Sequence, residues 1–415
     1  MDVGRIEQTL EAINAYSDAG QGINRLAYTD AERQAVEYIR SLCEAEGMIV
    51  RMDAAGNLIA RREGKNAALP AVAFGSHIDS VYAAGKYDGT LGVVAAIEII
   101  RSINEKGIET EHPLELIVFA CEESARFGFS TLGSRVITGQ LNKTDIIGLE
   151  DKEGIALQEE FARHGLVIDD LQKAERKQGD YQAFFELHIE QGPVLEKKDK
   201  QIGIVTGIAG ATRFKLTVQG VASHSGTTPM DYRKDALLGA AEIALALETA
   251  AKAEQTNGTV ATVGVFKVKP GAMNIVPGAV EMYVDIRGIS KTSRNIVIKA
   301  MLQKVTVIEE KRNLTIDYKK ISEQASVMLD ERVIEEICKT CAEKEYSYQL
   351  MPSGAGHDAM NMAALCPTGL IFIPSKDGLS HNRYEYSTME QISRGVGLLK
   401  SEILKWAKIS NHAGG

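Results

Sequence analysis

The sequence predicts an α/β fold in which a helix-covered sheet domain is interrupted by a smaller inserted α+β domain. Three observations predict it. The chain has 415 residues, too many for one ordinary core, so two domains are expected. Short apolar runs alternate with helical patterns over residues 1–209, which implies a sheet with parallel strands covered on both faces. Over residues 210–326 the order becomes β-α-β-β-α-β, the ferredoxin-like unit. Residues 327–415 return to the first pattern and should complete the first domain.

Each element has a local reason. Residues 1–50 read as two helices. Thr29-Asp-Ala-Glu32 has the spacing of a capping box before the second, Arg33–Glu46, and Gly47 ends it. Strands are expected at Asn57–Arg61, 71–75 and Leu114–Ala120, with a helix over 89–104 between the last two. Residues 140–180 are mixed and charged. Ala183–Leu187 reads as a short strand running into His188. In the insert, Arg213–Gln219, Thr259–Lys267, Val280–Arg287 and Leu314–Lys320 read as strands, and Asp235–Ala253 and Ser290–Lys311 as helices. A helix at Asp330–Lys344, a glycine-rich loop at Ser353–His357, a strand at Gly369–Pro374 and a helix at Met389–Ile409 follow.

Composition narrows the function. Hydrophobic residues make up 44% and charged residues 25% of the chain, which are globular values, and the net charge is −9. The net negative charge argues against nucleic acid or an anionic membrane as a main partner, since both call for a basic patch. No apolar run approaches the ~20 residues of a membrane span. The opening M-D-V-G-R-I-E-Q-T-L reads as an amphipathic helix, not a secretory leader. The five cysteines are odd in number and sit in apolar or helical settings, so reduced thiols and a cytoplasmic protein are expected. Cys338-x-x-Cys341 lies within a helical pattern with no second pair to complete a zinc site, and is read as incidental.

The chemistry gathers at strand ends. His77 ends an apolar strand, Asp79 follows two residues later, and Asp88 sits in a glycine-flanked turn before a helix. Ligands in open α/β sheets bind at such carboxyl ends. His77 can give a ring nitrogen to a metal while Asp79 accepts the other ring N–H. Asp88 has two oxygens able to bridge two cations. Glu122 and Glu123 close the next strand, so one carboxylate can hold a metal while its neighbour stays free to take a proton from water. Of the eight histidines, His77, His188 and His381 each follow an apolar strand near glycine; His112, His164 and His412 do not share that setting. A His/Asp/Glu set without cysteine suits Zn, Mn, Co or Ni.

Seven motifs then carry a resemblance over nearly the whole chain: G-S-H-I-D-S-V, K-Y-D-G, E-E-S-A-R-F, E-L-H-I-E-Q-G-P-V-L-E, S-H-S-G-T-T-P-M, G-A-G-H-D-A and L-S-H-N. In this order they resemble the N-carbamoyl-L-amino acid hydrolases, allantoate amidohydrolases and β-ureidopropionases, a branch of the two-metal peptidases that includes carboxypeptidase G and the aminoacylases. The resemblance implies a metallopeptidase-like catalytic domain with a mixed sheet, and an insert that acts as lid and dimerisation domain. It implies two divalent ions per subunit. His77 and His188 would hold one, Glu123 and His381 the other, and Asp88 would bridge them. Glu122 would be the general base and Asp79 would orient His77. Gln191, His224, Asn274, Arg287 and Gly356 would bind substrate, with His224 reaching the partner subunit's site and Arg287 and Asn274 meeting a carboxylate. His357 and Asp358 would lie behind the ligands.

The related peptidases commonly carry an acid where this chain has His188, and that histidine places the chain in the carbamoyl-cleaving branch. E-E-S-A-R departs from the commoner E-E-G-x-R but keeps both acids. The implied activity is cleavage of the ureido C–N bond of an N-carbamoyl-L-amino acid by a cytoplasmic homodimer. Allantoate and N-carbamoyl-β-alanine are the nearest rival substrates, and a dipeptidase or aminoacylase is more remote. A non-catalytic binding protein on this fold would have lost a ligand or the base, and none is missing from the sequence.

Overall fold

A computed structural model describes residues 2–408. Ile409, the expected last residue of the final helix, and His412 lie outside them. The chain forms two compact units. One comprises the chain up to Thr206, Leu329–Met351 and the stretch from His357 onward; the other comprises Gly207–Met328 and Pro352–Gly356.

The larger unit is built on a mixed sheet. Across it the strands run Ile49–Met52, Leu58–Arg62, Leu114–Phe119, Ala71–His77, Tyr181–Ile189, Thr368–Ile373 and Ile202–Ile208. The middle four are mutually parallel, and the strands flanking them pair antiparallel. Every residue of Ala71–His77 and Leu114–Phe119 is buried, as a strand covered on both faces requires. Val72, Phe74, Leu116, Phe185 and Ile371 share one core with Ile6, Leu10 and Ile39 of the N-terminal helices. Val94, Ile97, Val396 and Ile403 of helices Thr90–Glu105 and Met389–Trp406 complete it. A separate cluster forms around helix Leu132–Ile137, with Ala120, Cys121, Val136 and Phe161.

Several boundaries differ from expectation for physical reasons. Ile49–Met52, Ile202–Ile208 and Tyr348–Ser353 are strands that the sequence pattern does not announce. Tyr181–Ile189 runs two residues beyond the expected strand at each end, and carries His188 within it. Thr29 Oγ1 does accept from the Glu32 N–H at 3.3 Å. The Glu32 carboxylate, however, bonds the Tyr28 N–H and not that of Thr29, so the capping box is only half formed.

The smaller unit has four antiparallel strands in the order Thr315–Glu323, Gly210–Gln219, Ala279–Gly288, Val260–Lys269. Two helices, Ala236–Ala253 and Lys291–Arg312, complete a β-α-β-β-α-β unit whose strand order is the ferredoxin-like one. Its core alternates along Ala279–Gly288, where Val280, Met282, Val284 and Ile286 are buried. All five cysteines are free. Among the described residues no helix is long and apolar enough to cross a membrane.

Candidate metal centre

Parallel pairing delivers the candidate residues to one sheet edge. His77 is the last residue of its strand and pairs with Phe119, three residues before Glu122. His188 lies next to the end of the adjoining strand, and the loop after Thr368–Ile373 carries His381.

Asp88 stands at the centre. Its Oδ1 lies 3.5 Å from His77 Nε2 and 3.2 Å from His188 Nε2. Its Oδ2 lies 3.4 Å from His381 Nε2, which is 3.0 Å from Glu123 Oε1. Two sets result, His77–Asp88–His188 and Asp88–Glu123–His381, each with donor atoms within 4.8 Å of one another. They share Asp88 through different oxygens, the arrangement that a carboxylate bridging two cations needs. The first set is buried, whereas His381 stays 49% exposed in its side chain.

The ring nitrogens are pre-arranged. His77 Nδ1 lies 2.9 Å from the Asp79 carbonyl and His188 Nδ1 lies 2.9 Å from the Ile189 carbonyl. Each Nδ1–H is thereby a donor, which leaves Nε2 aimed at Asp88 with a lone pair for a metal. Gly89 lets this happen. Its φ is +61°, and a Cβ there would sit 2.4 Å from His77 Cε1. The Gly89 N–H also donates to His188 Nε2 at 3.0 Å.

Asp79 meets the His77 ring through its carbonyl, and its carboxylate Oδ1 stands further off, 3.6 Å from Nδ1. The carboxylate instead accepts the backbone N–H of Glu122 at 3.1 Å and of Glu123 at 2.9 Å. It fixes the turn that presents both acids, helped by Cys121 at φ +52°. Gln191 Nε2 donates to Asp88 Oδ2 at 2.7 Å.

Carboxylates and imidazoles shift one another's protonation across the cluster. Burial alone would raise the Asp88 carboxyl, yet hydrogen bonds to His188, His381 and His77 hold it well below the usual range. Burial would lower the His77 imidazole, but Glu122, Asp79 and Asp88 lift it well above its ordinary value. Contacts to Asp88 and Glu123 push His381 up to about 11. Three imidazoles and two carboxylates make a donor set that fits divalent ions, whose binding would compete with protons for the same nitrogens. Glu122 is different. Burial, reinforced by Glu123, Asp358 and Asp79 against the pull of His77, pushes its carboxyl well above the usual range. Its Oε2 is 3.8 Å from His77 Nε2, and it belongs to neither three-residue set.

Two residues that the sequence reading missed brace Asp88. Glu385 Oε1 accepts the N–H groups of Tyr87 and Asp88 at 2.8 and 3.0 Å. Ser380 Oγ lies 2.9 Å from Asp88 Oδ2 and 3.0 Å from Glu385 Oε2, within reach of either for its one hydroxyl proton. No local signal marks Glu385, since its partners lie 298 and 297 residues away. Behind the ligands, the His357 ring meets that of His188 edge-on at 4.6 Å. Asp358 is fully buried and accepts from Ser134 Oγ at 2.5 Å.

The remaining expected residues belong to the smaller unit. His224 pairs with Ile275 on a two-residue bridge, and the Ser225 N–H donates to the Asn274 carbonyl at 3.0 Å. His224 Nδ1 accepts the N–H groups of Gly226 and Thr227 at 3.0 and 3.2 Å. Its proton therefore rests on Nε2, on an exposed ring able to donate. Arg287 is held by Asp285, through Nε at 2.8 Å and Nη2 at 3.2 Å, and donates from Nη1 to the Gly354 carbonyl at 3.1 Å. Gly356 is exposed, two residues further on.

Comparison with known proteins agrees with this chemistry. Residues 63–405 match the model of peptidase family M20/M25/M40. The chain is 45% identical over 409 residues to an uncharacterized hydrolase of Haemophilus influenzae, covering 99% of each. It is 41% identical over 387 residues to an N-carbamoyl-L-amino acid amidohydrolase of Geobacillus stearothermophilus, covering 93% of this chain and 94% of that one. A ureidoglycolate hydrolase of Arabidopsis thaliana is 37% identical over 415 residues, at 98% and 87% coverage. Among solved structures, a hydantoinase/carbamoylase family amidase from Burkholderia multivorans superposes with a TM-score of 0.90 at 33% identity, covering 98% of both chains.

Proposed function

This chain belongs to peptidase family M20/M25/M40, in the hydantoinase/carbamoylase amidase branch, and on that premise we propose that it hydrolyses the ureido C–N bond of N-carbamoyl-L-amino acids. The observation that carries the reading is the pair of three-ligand sets sharing Asp88, with Glu122 beside them and outside both. We assign His77 and His188 to one ion, Glu123 and His381 to the other, and Asp88 to both. Two such ions, when bound, would acidify water and polarise the scissile carbonyl.

The chain's own groups do the rest. Glu122, held in place through its backbone by Asp79, takes a proton from the attacking water. It returns that proton to the leaving nitrogen as the tetrahedral adduct collapses. One water is consumed per R–NH–CO–NH2, and R–NH2, carbon dioxide and ammonia result. His224, donating from Nε2, is assigned to the carbonyl oxygen, contributed by a partner subunit of a homodimer formed through the smaller unit. Arg287 and Asn274 are assigned to the substrate carboxylate, for which a guanidinium fork is suited. Gln191 and Gly356 are assigned to substrate contacts, Gln191 in exchange for its present bond to Asp88. Closure of the smaller unit would exclude water.

A second reading is ureidoglycolate hydrolysis, favoured by 37% identity across 98% of this chain. It presents the same ureido group beside a carboxylate. Ammonia release after chelation and single-metal reloading separates them, using N-carbamoyl-L-amino acids, N-carbamoyl-β-alanine, allantoate and ureidoglycolate as substrates. The proposal expects the first class to give the highest kcat/KM. A preference of tenfold or more for ureidoglycolate or allantoate would replace it.

A further inference from the structure

Arg25 lies outside every motif discussed above, and its side chain is 0% exposed. Burying a guanidinium is costly unless an acid balances it, yet among the described residues Arg25 forms no ion pair. Its five N–H groups are all used, on neutral oxygens. Nε donates to the Ile78 carbonyl at 2.7 Å. Nη1 donates to the carbonyls of Ile13 and Tyr16 at 2.9 and 3.0 Å. Nη2 donates to Asn14 Oδ1 at 3.3 Å and Thr90 Oγ1 at 2.8 Å.

The chain positions of these acceptors matter. Ile78 lies between His77 and Asp79. Thr90 follows Gly89, one residue beyond Asp88, and opens the helix Thr90–Glu105. Asn14 extends the reach, because its Nδ2 donates to the Lys86 carbonyl at 2.9 Å, just before Tyr87 and Asp88. The backbone of Arg25 exchanges two further bonds with Ser80: its N–H donates to Ser80 Oγ at 2.9 Å and its carbonyl accepts from the Ser80 N–H at 2.8 Å. One planar fork therefore ties the end of the first helix to both segments that carry the His77–Asp88 pair. A fork with fixed angles sets a distance between those segments; a flexible ammonium does not.

We propose that Arg25 is a positioning residue for the metal centre, setting the spacing of His77 and Asp88 by holding Ile78 and Thr90 on one guanidinium. This rests on the reading of His77 and Asp88 as ligands. Arg25 touches no substrate, so its effect runs through metal affinity and kcat and not through KM. Burial lowers its pKa only to about 10, and it stays cationic at neutral pH.

The test compares wild type with R25M, R25K and T90V. Cobalt(II) is titrated into chelated protein and followed by its absorption bands, which report affinity and coordination geometry independently of turnover. R25M is expected to bind the tighter cobalt at least tenfold more weakly, with altered bands, and to lose kcat at saturating metal while KM stays within threefold. R25K is expected to fall between wild type and R25M. A cooperative thermal transition establishes that each variant is folded. If R25M does not fold, T90V decides, because it removes one acceptor and leaves the charge: a threefold or larger loss of cobalt affinity supports the proposal. Wild-type affinity and bands in folded R25M, or in T90V where R25M is unfolded, overturn it. Absence of cobalt binding by wild type would instead overturn the ligand assignment itself.

Discussion

Gly89→Ala isolates the geometry on which the site depends. The added Cβ would lie 2.4 Å from His77 Cε1 and 2.5 Å from both ring nitrogens. Ordinary contact needs 3.4 Å or more, so the ring must retreat by about 1 Å. Gly89 also sits at φ +61° and ψ −52°, outside the left-handed helical well, so alanine there carries a backbone cost above the roughly 1–2 kcal/mol of that well. Gly107→Ala, at φ +60° with nothing within 4 Å of its would-be Cβ, is the comparison for a positive-φ alanine free of any clash. Both variants should melt a few degrees below wild type. Only Gly89→Ala should lose metal affinity, by about tenfold or more, and turnover by on the order of 100-fold, the usual scale for a 1 Å misplacement. Equilibrium metal binding and ammonia release at saturating metal are the assays. If Gly89→Ala binds metal like Gly107→Ala, His77 is not a ligand as placed here.

Other perturbations read other parts of the site. Glu122→Gln should keep two bound metals and lose about 10²–10⁴-fold in kcat, the range for a removed general base; near-normal turnover would remove Glu122 from that role. Asp285→Asn should loosen the Arg287 fork and raise KM about tenfold with little change in kcat, on the scale of one charge-assisted hydrogen bond; an unchanged KM would count against Arg287 as the carboxylate group. Burial pushes the Glu385 carboxyl from 4.5 up to about 7, with Asp88 adding to the rise. A group raised on folding contributes stability that is complete below its unfolded pKa and is lost as pH rises through its folded one. The metal-free protein should therefore lose Tm between pH 5 and 8, and Glu385→Gln should flatten that loss; an unaltered slope would reject the assignment.

What the sequence revealed follows from how local each signal is. His77, Glu122 and His188 were legible because each sits where an apolar run stops, and parallel pairing must bring such ends to one edge. The ferredoxin-like insert was legible because its elements alternate cleanly, as Ala279–Gly288 does between buried and half-buried residues. Ile202–Ile208 was hidden by Gly203 and Gly207, which read as turn residues. In the fold Gly203 is required because a Cβ would lie 2.9 Å from Phe372 Cβ and Met351 Sδ. Asp79 shows the limit of spacing arguments. Two residues from His77, it invites a side-chain contact to the ring. Its carboxylate instead turns to N–H groups 43 and 44 residues away. Glu385 reaches N–H groups 298 and 297 residues away, and Arg25 reaches Ile78 and Thr90 across 53 and 65 residues, separations that no local pattern encodes.

The most direct test of the account is a metal titration of chelated protein, read in parallel by equilibrium binding and by ammonia release from an N-carbamoyl-L-amino acid. Two divalent ions per chain are expected, with activity that rises with their binding and loss of both in Asp88→Asn. Full ureido hydrolysis by protein holding no divalent metal, or two ions still bound with wild-type affinity in Asp88→Asn, would contradict it.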